Sequence, residues 1–415
     1  MKKSLFAIAA VTAFAGAAQA QSSVTVYGIL DVGYTGGSLT NQTPTGVGNT
    51  AQNIGRITNN NESGSRIGFR GNEDLGGGTS AQFVAEMGFQ PAGNAGSQTA
   101  NTVGAALWSP DIRQAYVGLT QKGAGQVRIG TQNTLYWEQG SNMTGQLAQV
   151  AGSILAPSTV GASFTPANNG SQAAATASDN GASNAQNAYT SRTNNTINLR
   201  SERMNGFLVK ASYNQSNQSS NIQLGTAVGL GVNDQSGYQV AAEYVVGKIN
   251  LQASYAGFTS QNANPATAPG AWGTDQQGTN AKDNQMLVTA SYDFGMLKAF
   301  AGYTDRRVQA TADSNNTMTR SGYEIGVRSF ITPKIEGWAS GGMGKFNAQG
   351  AGGNNANLTA YQVGSNYWLS KRTNLYGIVG ANNVAGTSAG ANAVTNPATN
   401  KQEIFQYSVG VRHTF

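Results

Sequence analysis

The pentapeptide Gly386-Thr387-Ser388-Ala389-Gly390 has the G-x-S-x-G spacing of a nucleophile elbow, in which a serine on a sharp turn attacks an acyl group. That chemistry needs a strand before the serine, a helix after it and an imidazole base. The flanks here are Asn, Gly and Ala, and the single histidine, His413, stands near the other end of the last alternating segment. Gly341-Gly342-Met343-Gly344-Lys345-Phe346 resembles a phosphate loop. It lacks the first glycine of that spacing, and Phe346 stands where a magnesium-holding hydroxyl is required. The acids are dispersed, with no D-x-D-x-D run for calcium. No cysteine means no disulfide framework, thiolate metal site or cysteine nucleophile, and one histidine excludes multi-histidine metal centres. These residues point away from an enzyme and imply no metal and no cofactor.

The elements that would hold any site come next. Only 11% of the 415 residues are charged, less than half of the roughly one quarter usual in soluble domains. No internal stretch reaches the ~18 apolar residues of a membrane helix. Lys2 and Lys3, the apolar run Leu5 to Ala18 and the small-residue site Ala18-Gln19-Ala20 read as a secretory signal peptide over residues 1–20. Removing Lys2 and Lys3 from the 25 basic residues leaves 23 against 19 acidic ones, a net charge of +4. That is too weak and too dispersed for a nucleic-acid footprint. Export without cysteine suits a bacterial envelope.

From Gln21 onward, short segments alternate between apolar and polar residues, the period of a strand with one face of each kind. Met286, Val288, Ala290, Tyr292 and Phe294 share a face, as do Tyr361, Val363, Tyr367 and Leu369. About sixteen strands are expected, beginning near Val24, Arg66, Thr79, Arg113, Gln126, Thr193, Gly206, Tyr238, Lys248, Asn284, Leu297, Arg320, Ile335, Leu358, Thr373 and Glu403. Short connections centred on 74–78, 121–124, 202–205, Gly247, Gly295, 332–334 and 371–372 carry hairpin chemistry. Long Asn/Gly/Ser/Ala-rich loops lie between the pairs, at 36–64, 90–110, 131–191, 215–237, 259–283, 308–319, 347–357 and 385–402. The expected fold is all-β, a single domain over residues 21–415. It is a 16-stranded antiparallel transmembrane β-barrel with short periplasmic turns and long extracellular loops. A soluble sandwich would also alternate, but here the apolar face tends to end in aromatics (Tyr213, Tyr244, Tyr255, Tyr303), as membrane girdles do.

Several segments resemble a known family. Val24-Thr25-Val26-Tyr27-Gly28-Ile29-Leu30-Asp31 is similar to the first strand of the Gram-negative general (diffusion) porins of β-proteobacterial type. So are Ser65-Arg66-Ile67-Gly68-Phe69-Arg70-Gly71 with Glu73-Asp74-Leu75-Gly76, and Arg113-Gln114-Ala115-Tyr116-Val117-Gly118-Leu119. The C-terminal Tyr407 to Phe415 resembles the family's closing strand and ends in Phe. The resemblance implies a homotrimer in the cell outer membrane whose third loop folds into the pore. It also implies contacts with outer-membrane lipid and lipopolysaccharide, and a sorting signal at Phe415 for the barrel-assembly machinery.

Residues 131–191 are the third long connection and the candidate pore-constricting loop. Its first part carries Tyr136, Trp137, Glu138, Met143, Leu147, Ile154 and Leu155, which can pack against a wall. The resemblance implies a basic ladder facing that loop, and Arg66, Arg113 and Arg192 match it, near the starts of the second, fourth and sixth strands. The alternation turns Arg66 and Arg70 inward, opposite Ile67 and Phe69, while the parity around Arg113 is ambiguous because Gln114 and Tyr116 would otherwise face out. A basic side chain facing lipid at mid-depth costs about 2–4 kcal/mol, which favours the lumen. Arg70, Arg128 and Lys210 are secondary lumen candidates, and Asp31, Glu86 and Glu138 are candidates for the opposing negative side. The expected function is passive diffusion of small hydrophilic solutes and ions through a water-filled, weakly anion-preferring channel. The rivals are a substrate-specific uptake channel and a non-conducting envelope adhesin or structural barrel.

Overall fold

In the computed structural model one antiparallel sheet closes on itself. The structure describes residues 23–42, 49–59, 61–91, 111–143, 153–155, 192–224, 227–262, 281–310, 317–349, 354–388 and 401–415. The expected signal peptide and residues 156–191 lie outside this set. The strands are β1 (Ser23–Gln42), β2 (Thr50–Asn59), β3 (Arg66–Gly76), β4 (Thr79–Gly88), β5 (Asp111–Gln121) and β6 (Gly125–Asn133). After helix α1 (Leu135–Met143) come β7 (Arg192–Arg200), β8 (Phe207–Leu224), β9 (Ala227–Val246), β10 (Ile249–Asn262) and β11 (Ala281–Asp293). The remainder are β12 (Lys298–Ala310), β13 (Thr317–Thr332), β14 (Ile335–Gln349), β15 (Asn354–Trp368), β16 (Thr373–Ser388) and β17 (Lys401–Thr414).

Seventeen segments make sixteen staves. The upper part of β1 pairs with β2, from Val32 opposite Asn59, and its lower part pairs with β3, from Ile29 opposite Arg66. Thus β2 and β3 are two halves of one stave. Every later strand pairs with its successor, and β17 returns to β1 from Ile29–Thr414 to Gln42–Lys401. Closure leaves no sheet edge, the condition for strands to cross a bilayer.

Sequence chemistry explains the two ends. Below β11, the Gly295 amide donates to Asp293 Oδ1 at 2.7 Å, and Gly295 adopts a positive φ of 90° that a side chain would disfavour. All seven expected short connections are present, joining β3–β4 through β15–β16 in pairs. Several expected loops are shorter than the sequence indicated, because the strands run further, and two change most. Residues 50–59 form β2, although they are polar and lack strand alternation. Much of 215–237 continues the β8–β9 ladder, with Leu224 opposite Ala227. Backbone pairing with an ordered neighbour extends these strands where side-chain pattern gives no signal.

The outer face is apolar: Val24, Val26, Val117, Ile129, Tyr213, Ile325, Tyr361 and Val409 are all exposed. The inner face holds Gln239, Gln285, Thr289, Gln362 and Asn366, all buried. This inversion of the usual soluble pattern is what a lipid-facing wall around a polar interior requires. Among the described residues no helix is long and apolar enough to cross a membrane, so strands are the spanning elements.

Candidate functional site

The third loop folds into the barrel. Its start is capped by Thr134, whose hydroxyl accepts the Trp137 amide at 3.0 Å, and α1 follows. The helix lies along the inner face of β9–β11. The Leu135 amide donates to Gln239 Oε1 at 2.8 Å, and Gln139 Nε2 reaches the carbonyls of Gln252 and Leu287, each at 3.0 Å. Tyr136 is buried against Leu287 and Leu155, and its hydroxyl lies 2.7 Å from Thr304 Oγ1 and 2.5 Å from the Leu155 carbonyl. Burial pushes the Tyr136 phenol up to about 12, so it stays protonated at physiological pH.

Ser153 to Leu155 dock further round the wall. The Ser153 hydroxyl and the Ile154 amide both donate to Glu324 Oε2, at 2.5 and 2.9 Å. Ile154 is fully buried with Val308, Phe346 and Leu358. Its floor is glycine: a Cβ at Gly322 would come within 2.4 Å of Ile154, and one at Gly302 within 2.5 Å of Leu155. The Gly341-Gly342-Met343-Gly344 run therefore has no phosphate-loop shape; it lies in β14, where Gly342 and Gly344 complete this floor. Gly386 to Ser388 are the end of β16, and the last two residues of that pentapeptide lie outside the described set.

The basic residues occupy a different arc. Arg66 pairs with Gly88, Met87 with Ile112, and Asn133 with Arg192, so Arg66, Arg113 and Arg192 stand within a few register positions of one another. Arg113 is a bulge. Glu86 pairs with Gln114 and Met87 with Ile112, leaving Arg113 as the extra residue. The bulge removes the parity conflict, because it lets Gln114 and Tyr116 turn inward while Ile112 and Val117 stay outside. Arg192 is buried at the head of β7. Arg70 and Arg128 lie over the rings of Tyr27 and Tyr116, at 5.2 and 5.0 Å.

The expected acids do not stand across from these cations. Glu86 lies on the same wall and pairs with Arg113 at 2.8 Å, also accepting the Tyr27 hydroxyl at 3.0 Å. Neighbouring strands bring them together, which sequence separation hides. Glu138 of α1 is held by Arg200 and by Lys210, the latter at 3.2 Å. Arg200 was not among the sequence candidates; its inward parity beside Asn198 was the available signal. Asp31 is fully buried and accepts the Glu62 and Ser63 amides at 2.8 and 2.6 Å and the Tyr376 hydroxyl at 2.7 Å. It is an anchor for the chain between β2 and β3.

The charge balance differs by arc. From β3 to β8, with α1, seven cations (Arg66, Arg70, Arg113, Arg128, Arg192, Arg200, Lys210) accompany Glu86 and Glu138, while Glu73 and Asp74 stand exposed at the turn end of β3. From β11 to β14 the charges are more nearly even: Arg306, Arg320 and Arg328 stand beside Asp283, Glu324 and Glu336, and Lys298 lies over the Phe300 ring at the turn end of β12. Phe415 closes the barrel: its amide and carbonyl both bond Gly28, at 3.1 and 3.0 Å, and its ring covers the Gly28 Cα.

Comparison with known proteins gives one consistent picture. The family model described as Gram-negative porin matches residues 7–387. An outer membrane porin protein of Bordetella pertussis is 28% identical over 407 residues, covering 91% of this chain and 93% of that protein. Among solved structures, the anion-selective porin from Comamonas acidovorans superposes with a TM-score of 0.61 at 21% identity, over 95% of this chain and all of that one. OmpT of Vibrio cholerae in its trimer form gives a TM-score of 0.57 at 13% identity, over 95% and 99% of the two chains.

Proposed function

The chain belongs to the Gram-negative porin family, as an outer-membrane porin, and from that premise we propose that it is a diffusion channel preferring small anions over cations. The observation that carries the preference is the arc from β3 to β8, where seven cations, Arg192 among them, accompany Glu86 and Glu138. Net charge on a distant loop is screened within about 8–10 Å at physiological salt, so selectivity arises where the lumen is narrow. There, low-dielectric walls focus the field of a few side chains on a passing ion. The third loop, held on β9–β14, narrows the interior from the side where the charges are more nearly even. A permeating anion then passes the basic arc, with Arg66, Arg113 and Arg192 as its principal ladder. The anion selectivity stated for the Comamonas protein supports this reading.

The same reading includes a homotrimer, supported by the trimer form of the Vibrio neighbour. It further includes export by cleavage of residues 1–20, contact with outer-membrane lipid and lipopolysaccharide, and recognition of Phe415 by the barrel-assembly machinery. Lumen diffusion involves no bond making, and the expected chemistry is transport with no catalytic step.

The test is the reversal potential of single channels across a salt gradient, for the wild type and for the triple variant Arg66→Gln, Arg113→Gln, Arg192→Gln. Anion preference in the wild type and its loss in the variant are expected. A cation-preferring wild type, or an unshifted variant, overturns the assignment. Saturable block by one solute would point to a specific uptake channel, and absence of any conductance to a structural barrel.

A further inference from the structure

One stave is interrupted where a continuous one would pair completely. On β1, Ile29 faces Arg66 and Val32 faces Asn59, so two residues of β1 stand against the six between Asn59 and Arg66. The surplus is four residues, and it turns inward. Asn61, Glu62, Ser63 and Ser65 are all buried, although they are polar. Their polar atoms are provided for. The Ser65 hydroxyl takes the place of the missing ladder partner, accepting the Asp31 amide at 3.1 Å and donating to the Asp31 carbonyl at 3.3 Å. Asp31 in turn accepts the Glu62 and Ser63 amides. Glu62 accepts Asn366 and Asn374 at 2.8 and 2.9 Å and meets Arg412 at 3.3 Å, so it reaches the inner faces of β15, β16 and β17.

The other side of this excursion meets the basic ladder. Arg66 Nη2 donates to Ser63 Oγ at 3.4 Å. A Cβ placed on Gly64 would lie 3.2 Å from Arg113 Nη1. Burying a carboxylate, an amide and two hydroxyls inside a wall is unfavourable unless each finds partners. A four-residue shortening would avoid the need. Its parity is also permissive: an even surplus leaves Arg66 facing inward with or without it.

We propose that residues 61–65 are a second pore-shaping element. They stand across the lumen from the docked third loop, with Glu62 as the positioning residue that braces the excursion and Arg66 and Arg113 held against its free side. The element sets how far those two guanidinium groups project and thereby the ion preference. The inference rests on the channel reading above and adds a determinant that the third loop does not supply.

Two variants test it in the full-length chain. Deleting Asn61 to Gly64 leaves Asn60 opposite Asp31 and Ser65 opposite Leu30, a continuous ladder. The expected result is a folded, heat-modifiable barrel with larger unit conductance and loss of anion preference. The second variant is Gly64→Cys, the sole thiol in a chain without cysteine. Modification by an anionic methanethiosulfonate reagent is expected to lower the current stepwise and shift the reversal potential toward cations. Wild-type conductance and reversal potential in the folded deletion variant overturn the inference. So does an unaltered current after complete modification of Gly64→Cys, established by mass, and this variant decides alone if the deletion fails to assemble. A non-conducting wild type would overturn the channel reading itself, whereas a conducting wild type with silent variants overturns only the second element.

Discussion

Glu86 moderates the arginine it touches. It binds the Arg113 guanidinium and the Tyr27 hydroxyl, so Glu86→Gln leaves an acceptor for the tyrosine but removes the charge. The expected outcome is stronger anion preference, read as a larger reversal potential in a salt gradient, with about 1–3 kcal/mol lost locally from the charged hydrogen bond. Unchanged selectivity would mean that Arg113 does not meet the permeating ion. Tyr136 supplies a pH test. Its folded-state value is raised from 10.0 to about 12 by burial, so its contribution is complete below the unfolded value and is lost as pH climbs through the folded one. Third-loop attachment by this group is therefore constant through neutral pH and weakens between about pH 10 and 12. Open-channel noise should rise in that window in the wild type, while Tyr136→Phe, which cannot ionise, should show no such window.

Among the elements, the inward docking of the third loop depends on small residues in the wall. Ile154 and Leu155 sit where Gly302 and Gly322 leave room, and burying an isoleucine contributes about 1.5–3 kcal/mol. Ile154→Asp should release this end of the loop, seen as faster proteolysis at Ser153 to Leu155 and noisier current, with the barrel's heat stability little changed. The strands themselves were largely legible beforehand, because lipid on one side and water on the other impose strict alternation on segments such as Gln285 to Phe294. The split second stave was not. Residues 50–59 carry no apolar period, and Asn61 to Ser65 are polar residues whose burial depends on Asp31, Tyr376 and Asn374, remote in sequence. The same holds for the acids. Alternation indicates that Glu86 faces inward, but only register shows that it meets Arg113 on an adjacent strand, and only a bulge re-aims that arginine.

For the whole molecule, the trimer proposed above is expected to survive mild detergent at room temperature and to separate on heating. A monomer by light scattering in non-denaturing detergent would contradict this. Deleting Phe415 removes both hydrogen bonds to Gly28 and the ring that covers it. Less folded barrel in the membrane and more unfolded chain in the periplasm are expected, measured by heat-modifiability of each fraction.

The seam between β1 and β17 governs the order of events in folding. Thr35 and Ser408 are hydrogen-bonded across 373 positions of chain, so the final ladder cannot form until the last residues have arrived. Every other ladder joins one stave to the next along the chain and closes a shorter loop, whereas this one carries almost the full length. A growing sheet would thus present two open edges until its last step, each able to recruit a foreign strand. Any factor that shields or templates those edges acts on the last pairing the chain can make. A nonsense codon near the end would be more damaging than its few lost residues imply, because it removes the seam and leaves the rest of the sheet unsealed.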